Sequence, residues 1–178
     1  MKKRKNILQK AVFLDRDGTI NYDYGYVHKF TDFKFRKFVI QGLRYLSNKK
    51  YLLLVVTNQA GVAKGKFKIR DLFILNRKLK SFLKRKNIIL SDIEYCPYHP
   101  DGVVKKYKKK SLYRKPGNLM IKKLKKKWNI DMKKSFMIGD KKSDKLAALK
   151  SGLYFEYAKK NFYRQVKKID EKVSNNYL

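Results

Sequence analysis

Cysteine occurs once in the 178 residues, at Cys96, which excludes an internal disulfide framework and cannot by itself supply the four ligands of a structural zinc site. No apolar run approaches the roughly 18 residues needed to cross a bilayer. The opening MKKRKNILQKAVF has too short an apolar stretch, and no small-residue cleavage site, to read as a secretory leader. A soluble, cytoplasmic protein is the expectation. Acidic residues are scarce, 14 against 47 Lys and Arg, so the formal charge is +33.

A field of that size attracts phosphates, nucleic acid and anionic membranes. Lysine nevertheless stands in nearly every segment, beside abundant Tyr, Phe, Ile and Asn and little Gly, Pro and Ala. That evenness reads as a compositional background with solvated faces rather than a selected nucleic-acid surface.

What is present is a set of separated apolar blocks. AVFLD (11–15), YLLLVVT (51–57) and SFMIGD (135–140) read as buried strands, with shorter strands expected near 93–95 and 153–157. Between them, Val39, Leu43 and Leu46 recur at helical spacing, as do Leu72, Leu75, Leu79 and Phe82, and Met120, Ile121, Leu124 and Trp128. Leu146 and Leu149 predict a fourth helix ending at Gly152. The proline- and lysine-bearing stretch from Cys96 to Pro116 has no period and reads as an extended surface loop. Strands alternating with helices give an α/β fold, a Rossmann-like three-layer α/β/α core on a mainly parallel sheet. One domain is expected over 1–178, its core spanning about 10–158 between a basic N-terminal tail and a C-terminal helix.

A parallel sheet gathers its ligand site at the carboxyl ends of its strands, which brings Asp15, Thr57 and Asp140 to one edge. Hydrolysis of a phosphate ester needs a held nucleophile, a cation and phosphate-binding donors, because ester and nucleophile are both anionic. Asp15 can attack phosphorus to form an aspartyl-phosphate, and Asp17 can protonate the leaving oxygen and later deprotonate water. Asp140, with the Asp15 carboxylate and a main-chain carbonyl near Asp17, can enclose Mg²⁺. Asp144 is assigned a supporting place behind these ligands. Thr57 and Asn58 offer a hydroxyl and an amide to phosphoryl oxygens, Lys115 a positive charge, and Arg114 a longer reach to substrate. Retaining both acids of DRD argues against a non-enzymatic binding module, since buried acid pairs cost stability when no metal accompanies them.

FLDRDGT, VVTNQAG, RKP and MIGDKKSD resemble the four motifs of the haloacid dehalogenase (HAD) phosphatases over residues 11 to 150. NYDYGYVHKFTDFKF, TNQAGVAKGKF and YCPYHPDG further resemble the D-glycero-D-manno-heptose-1,7-bisphosphate 7-phosphatases. The resemblance implies a HAD core without a large cap, removal of the C7 phosphate during heptose precursor synthesis, and a small phosphorylated sugar as partner. It assigns Asp15 as nucleophile, Asp17 as acid/base, Asp140 as magnesium ligand, and Thr57, Asn58 and Lys115 as phosphate stabilisers. It also implies substrate contacts for Arg16, Asp23, Tyr24, Gly25, Tyr26, Gln59, Ala60 and Arg114.

The chain departs from that family at its zinc loop. Cys96 is kept, but Tyr98, Ser111 and Tyr113 occupy the other three ligand positions, so zinc is expected to be absent and the loop to be held by prolines and aromatic packing. The histidinol-phosphate phosphatases share the same motifs and are the nearest enzyme alternative, with GYVHKFTDFKF favouring the heptose enzymes. A polynucleotide-end phosphatase would need a basic groove interleaved with exposed aromatics. No specific nucleic acid, no membrane and a monomeric state are the remaining expectations.

Overall fold

The computed structural model describes residues 8–175, so most of the basic N-terminal tail lies outside the described residues. Five strands, β1 (Ala11–Leu14), β2 (Leu52–Asn58), β3 (Leu90–Cys96), β4 (Phe136–Gly139) and β5 (Tyr154–Tyr157), form one sheet in the order β3-β2-β1-β4-β5. Every neighbouring pair is parallel. Five helices connect and cover them: α1 (Val39–Asn48), α2 (Ile69–Arg85), α3 (Leu119–Trp128), α4 (Lys142–Leu149) and α5 (Phe162–Ser174).

The period of two along each strand divides the core. Val12 and Leu14, Leu53 and Val55, and Phe136 and Ile138 face α1, α2 and α5. Ala11 and Phe13, Leu54 and Val56, and Met137 face α3 and α4. The chain runs outward from β1 through β2 to β3, then returns to the other side of β1 for β4. That reversal opens a crevice beyond the carboxyl ends of β1 and β4, where ligands of such sheets bind.

Two local findings shape the crevice. The helix expected from Leu146 and Leu149 is present as α4, but those leucines are 37% and 56% exposed, while Asp144, Ala147 and Ala148 are buried. The face is set by Asp144, whose carboxylate caps the helix by accepting from Lys141 N at 2.9 Å, and the alanines three and four residues on share its side. Close approach to the sheet favours alanine there: a Cβ on Gly139 would run into the Asp144 side chain. The loop after Cys96 is mostly irregular, as expected, with one short 3-10 turn at Lys105–Tyr107.

The C-terminal helix α5 is bound tightly to the core. Gly42 of α1 lies against the Phe162 ring, and the buried Asp170 accepts from Tyr45 and Tyr51 hydroxyls at 2.8 Å each.

Candidate active site

β1 stops at Leu14, and Asp15 N continues the sheet by donating to Ile138 O at 3.0 Å, which fixes Asp15 at the strand tip. Its carboxylate is 2.6 Å from Lys115 Nζ, and the same ammonium lies 2.6 Å from Asp144 Oδ1 and donates to Val56 O at 2.7 Å. Burial is the strongest influence on Asp15 and pushes its carboxyl up to about 7; Lys115 pulls against this, while Asp144 and Asp17 add to it. Burial would lower the Lys115 pKa, but the Asp15 and Asp144 carboxylates outweigh it and hold the ammonium protonated.

Lys115 is held from the backbone as well. Asn58 Nδ2 donates to Lys115 O and Asn58 Oδ1 accepts from Lys115 N, both at 3.0 Å. Asn58 lines the pocket, and these bonds also make it the clamp that carries Lys115 over the end of β2.

The Asp17 carboxylate accepts from four donors: Arg16 Nε at 3.1 Å, Arg16 Nη2 at 2.8 Å, Asn21 Nδ2 at 3.0 Å and Gln59 Nε2 at 2.8 Å. Gln59 also donates to Thr57 Oγ1 at 3.0 Å, tying the end of β2 to the loop after β1. Arg16, expected among the substrate contacts, is fully buried: its Nε and Nη2 hold Asp17, Nη2 also donates to Val27 O at 2.7 Å, and Nη1 is buried without a partner.

The crevice is a cavity of about 500 Å³. Asp15, Asp17, Thr57, Asn58, Gln59 and Ala60 form its floor with Lys115, and Asp23, Gly25, Tyr26 and Arg114 form its rim. Tyr24, expected among the substrate contacts, is not among the lining residues: its ring is 63% exposed and lies 6.1 Å from that of Tyr22. The loop turns twice through left-handed backbone, Gly25 at φ 80 and Tyr26 at φ 53, which carries Tyr24 away while returning Tyr26 to the rim.

Lys64, His99, Lys141 and Ser143 also line the cavity and went unnoticed in the sequence as site residues. Lys141 Nζ bridges Asp23 at 3.2 Å and Asp140 at 4.0 Å. Its position directly after Asp140 was the available signal, lost in a chain where lysine is everywhere.

Carboxylate oxygens of Asp15, Asp140 and Asp144 lie within 4.8 Å of one another. Asp140 Oδ1 is buried without a hydrogen-bond partner, and burial raises the Asp140 pKa. The Asp140 carboxylate occupies the space that a Cβ on Gly18 would take, with Gly18 at φ 85. An all-oxygen set with an unsatisfied buried oxygen fits a hard divalent cation. Asp144 is otherwise engaged, one oxygen on Lys115 and the other on Lys141 N.

The family model for Polynucleotide kinase 3 phosphatase matches residues 10–177. The D-glycero-beta-D-manno-heptose-1,7-bisphosphate 7-phosphatase of Photorhabdus laumondii is 45% identical over 138 residues, 78% of this chain and 73% of that protein. The alpha-anomer enzyme of the same organism is 39% identical over 144 residues, 81% and 79% of the two chains. The beta-anomer enzyme of Escherichia coli K12 is 42% identical over 139 residues, 78% and 73%. Among solved structures, a putative HAD-like phosphatase from Mesorhizobium loti superposes with a TM-score of 0.80 at 24% identity, covering 92% of this chain and 87% of that one. The D,D-heptose 1,7-bisphosphate phosphatase of B. bronchiseptica, solved with magnesium and phosphate, gives 0.75 at 23% identity, covering 90% and 87%.

Fold, strand-end acids and relatives together define a HAD-type phosphatase. Within that class the chain belongs to the family of the D-glycero-D-manno-heptose-1,7-bisphosphate 7-phosphatases.

Proposed function

We propose that the protein hydrolyses the C7 phosphate of a D-glycero-D-manno-heptose 1,7-bisphosphate, on the route to nucleotide-activated heptose for lipopolysaccharide. The observation that carries this reading is the buried Asp15 at the β1 tip, with Lys115 Nζ at 2.6 Å and the unpaired Asp140 oxygen nearby. An Asp15 oxygen attacks phosphorus as the bond to the C7 oxygen breaks, and Asp17 gives that oxygen its proton. Asp17 then takes a proton from the water that attacks the aspartyl-phosphate, which releases inorganic phosphate and restores both acids. Thr57 and Lys115 meet the charge on the phosphoryl oxygens, and Asn58 keeps Lys115 in place.

Magnesium would be held by Asp15, Asp140 and the Asp17 main-chain carbonyl, and supplies positive charge that draws the anionic ester and nucleophile together. The cations Lys64, Arg114 and Lys141 around the cavity suit a substrate with a second phosphate. Zinc has no part in this reading. The Cys96 thiol is buried and directed at Tyr98 O at 3.9 Å, burial pushes its pKa up against thiolate formation, and Tyr98 and Tyr113 pack on the core.

The reading takes the protein as a single-domain, cytoplasmic monomer; no described helix is long and apolar enough to cross a membrane. The deciding experiment measures Mg²⁺-dependent phosphate release from both heptose bisphosphate anomers, histidinol phosphate and a 3′-phosphorylated oligonucleotide. One heptose bisphosphate should lead in kcat/KM by at least about 100-fold, the scale of good substrate discrimination. A lead for histidinol phosphate or the oligonucleotide would overturn the sugar assignment.

A further inference from the structure

Beside the catalytic crevice and with no lining residue in common with it, two concavities adjoin near the β3 edge of the sheet, sharing Ile69 and Tyr107 as a common wall. One holds His28 and Phe67, whose rings stack at 5.0 Å and 7°. The other is walled by Tyr95, Tyr98, Tyr107 and Tyr113, all partly exposed. Phe67 itself is buried, so the aromatic surface of the joined trough comes from His28 and the four tyrosines.

The charge around this trough is not balanced by acids. Lys66 and Lys68 flank one half. The loop that carries Tyr107 contributes Lys105, Lys106, Lys108, Lys109 and Lys110, every one exposed and, among the described residues, none in an ion pair with a carboxylate. Lys109 Nζ lies 4.1 Å over the Tyr98 ring and Lys106 Nζ 5.8 Å over that of Tyr107. The two acids that line the trough are already engaged. Glu94 takes Lys123 at 2.8 Å, and Asp71 accepts from Lys68 N at 2.9 Å. Val103 and Val104 donate to Ala63 O at 2.8 and 2.9 Å, so the lysine loop is anchored to the body of the protein.

Aromatic rings interleaved with cations that have no carboxylate partner are what a flexible strand of bases and phosphates requires. The bases stack on rings of any sequence, and the cations release the counterions of the backbone. We infer that this trough binds single-stranded nucleic acid without reading its sequence. The inference does not depend on which phosphate ester the catalytic crevice hydrolyses.

The test is fluorescence anisotropy of a labelled 15-nucleotide thymidine strand lacking terminal phosphates, titrated with the full chain at several salt concentrations. Lys105→Ala/Lys106→Ala/Lys108→Ala should weaken binding at least about ten-fold at low salt and lower the log–log salt slope by about 2, near 0.7 per lost phosphate contact. A matched control, Lys160→Ala/Arg164→Ala/Lys168→Ala, removes the same charge at the far edge of the sheet, beside β5, and should stay within about two-fold. Tyr107→Leu should weaken binding roughly ten-fold, and Tyr107→Phe should restore it, because a ring is what stacks. Circular dichroism and unchanged phosphatase activity show that each variant is folded. Equal losses in the two lysine triples would mean diffuse charge, and no difference between Tyr107→Leu and Tyr107→Phe would remove the stacking; either overturns the inference. So does equal affinity for an acidic peptide of matched charge.

Discussion

The floor of the catalytic crevice and its rim are built on opposite principles. On the floor two charged groups are each fixed several times over: Lys115 by two carboxylates, a carbonyl and the Asn58 clamp, and Asp17 by four donors. The rim is more open by comparison, with Tyr26 42% exposed. A phosphoryl-transfer centre tolerates little displacement, whereas a surface that selects the rest of the substrate can vary at small cost to the fold. The proposed phosphoryl-transfer chemistry therefore rests on the floor, and selection of the rest of the substrate on the rim.

The hardest blow to that contrast is Lys115→Met. It leaves Asp15 and Asp144 buried and facing each other without their shared cation, which should cost about 3–5 kcal/mol, the scale of a broken buried pair. Phosphate release should fall at least about 100-fold. Urea unfolding and steady-state kinetics read the two losses, and a stable, active variant would show that the floor is not over-determined at all. A middle case is Gly18→Ala, which imposes a side chain at φ 85 where Asp140 already stands. About 1–3 kcal/mol of strain is expected, with kcat falling more than the stability loss explains, because the displaced carboxylate is the one proposed to bind Mg²⁺. A raised Mg²⁺ requirement in activity titrations would locate the effect. The mildest test belongs to the exposed loop beside the rim: Tyr24→Ala should leave kcat/KM within about two-fold and stability within about 0.5 kcal/mol, as expected for a surface change. A ten-fold rise in KM would return Tyr24 to the substrate.

Much of the floor was legible before folding. Asp15, Thr57 and Asp140 each close an apolar strand, and a parallel sheet must bring such ends together, so periodicity alone assembles them. The same logic has no hold where no period exists. In a loop, neighbours in sequence need not share a direction, so Arg16 turned inward between two acids and Tyr24 turned out beside Tyr26. On α4, apolarity pointed to Leu146 and Leu149, but a capping carboxylate with an ammonium to meet outweighed two leucines in choosing the buried face. Lys64 and Lys141 were hidden by numbers: among 47 basic residues, only three-dimensional placement separates those that face a substrate from those that face water.

Asp144 stands at the start of α4 and also grips Lys115, which lies in the loop just before α3. Neither partner is free to drift through mutation alone. Loss of the acid strands an ammonium beside Asp15 and uncaps a helix, while loss of the lysine strands two acids. Surviving descendants should therefore either keep both or change both in a single evolutionary episode, and the two positions should be inherited as one character although they stand 29 positions apart in the chain.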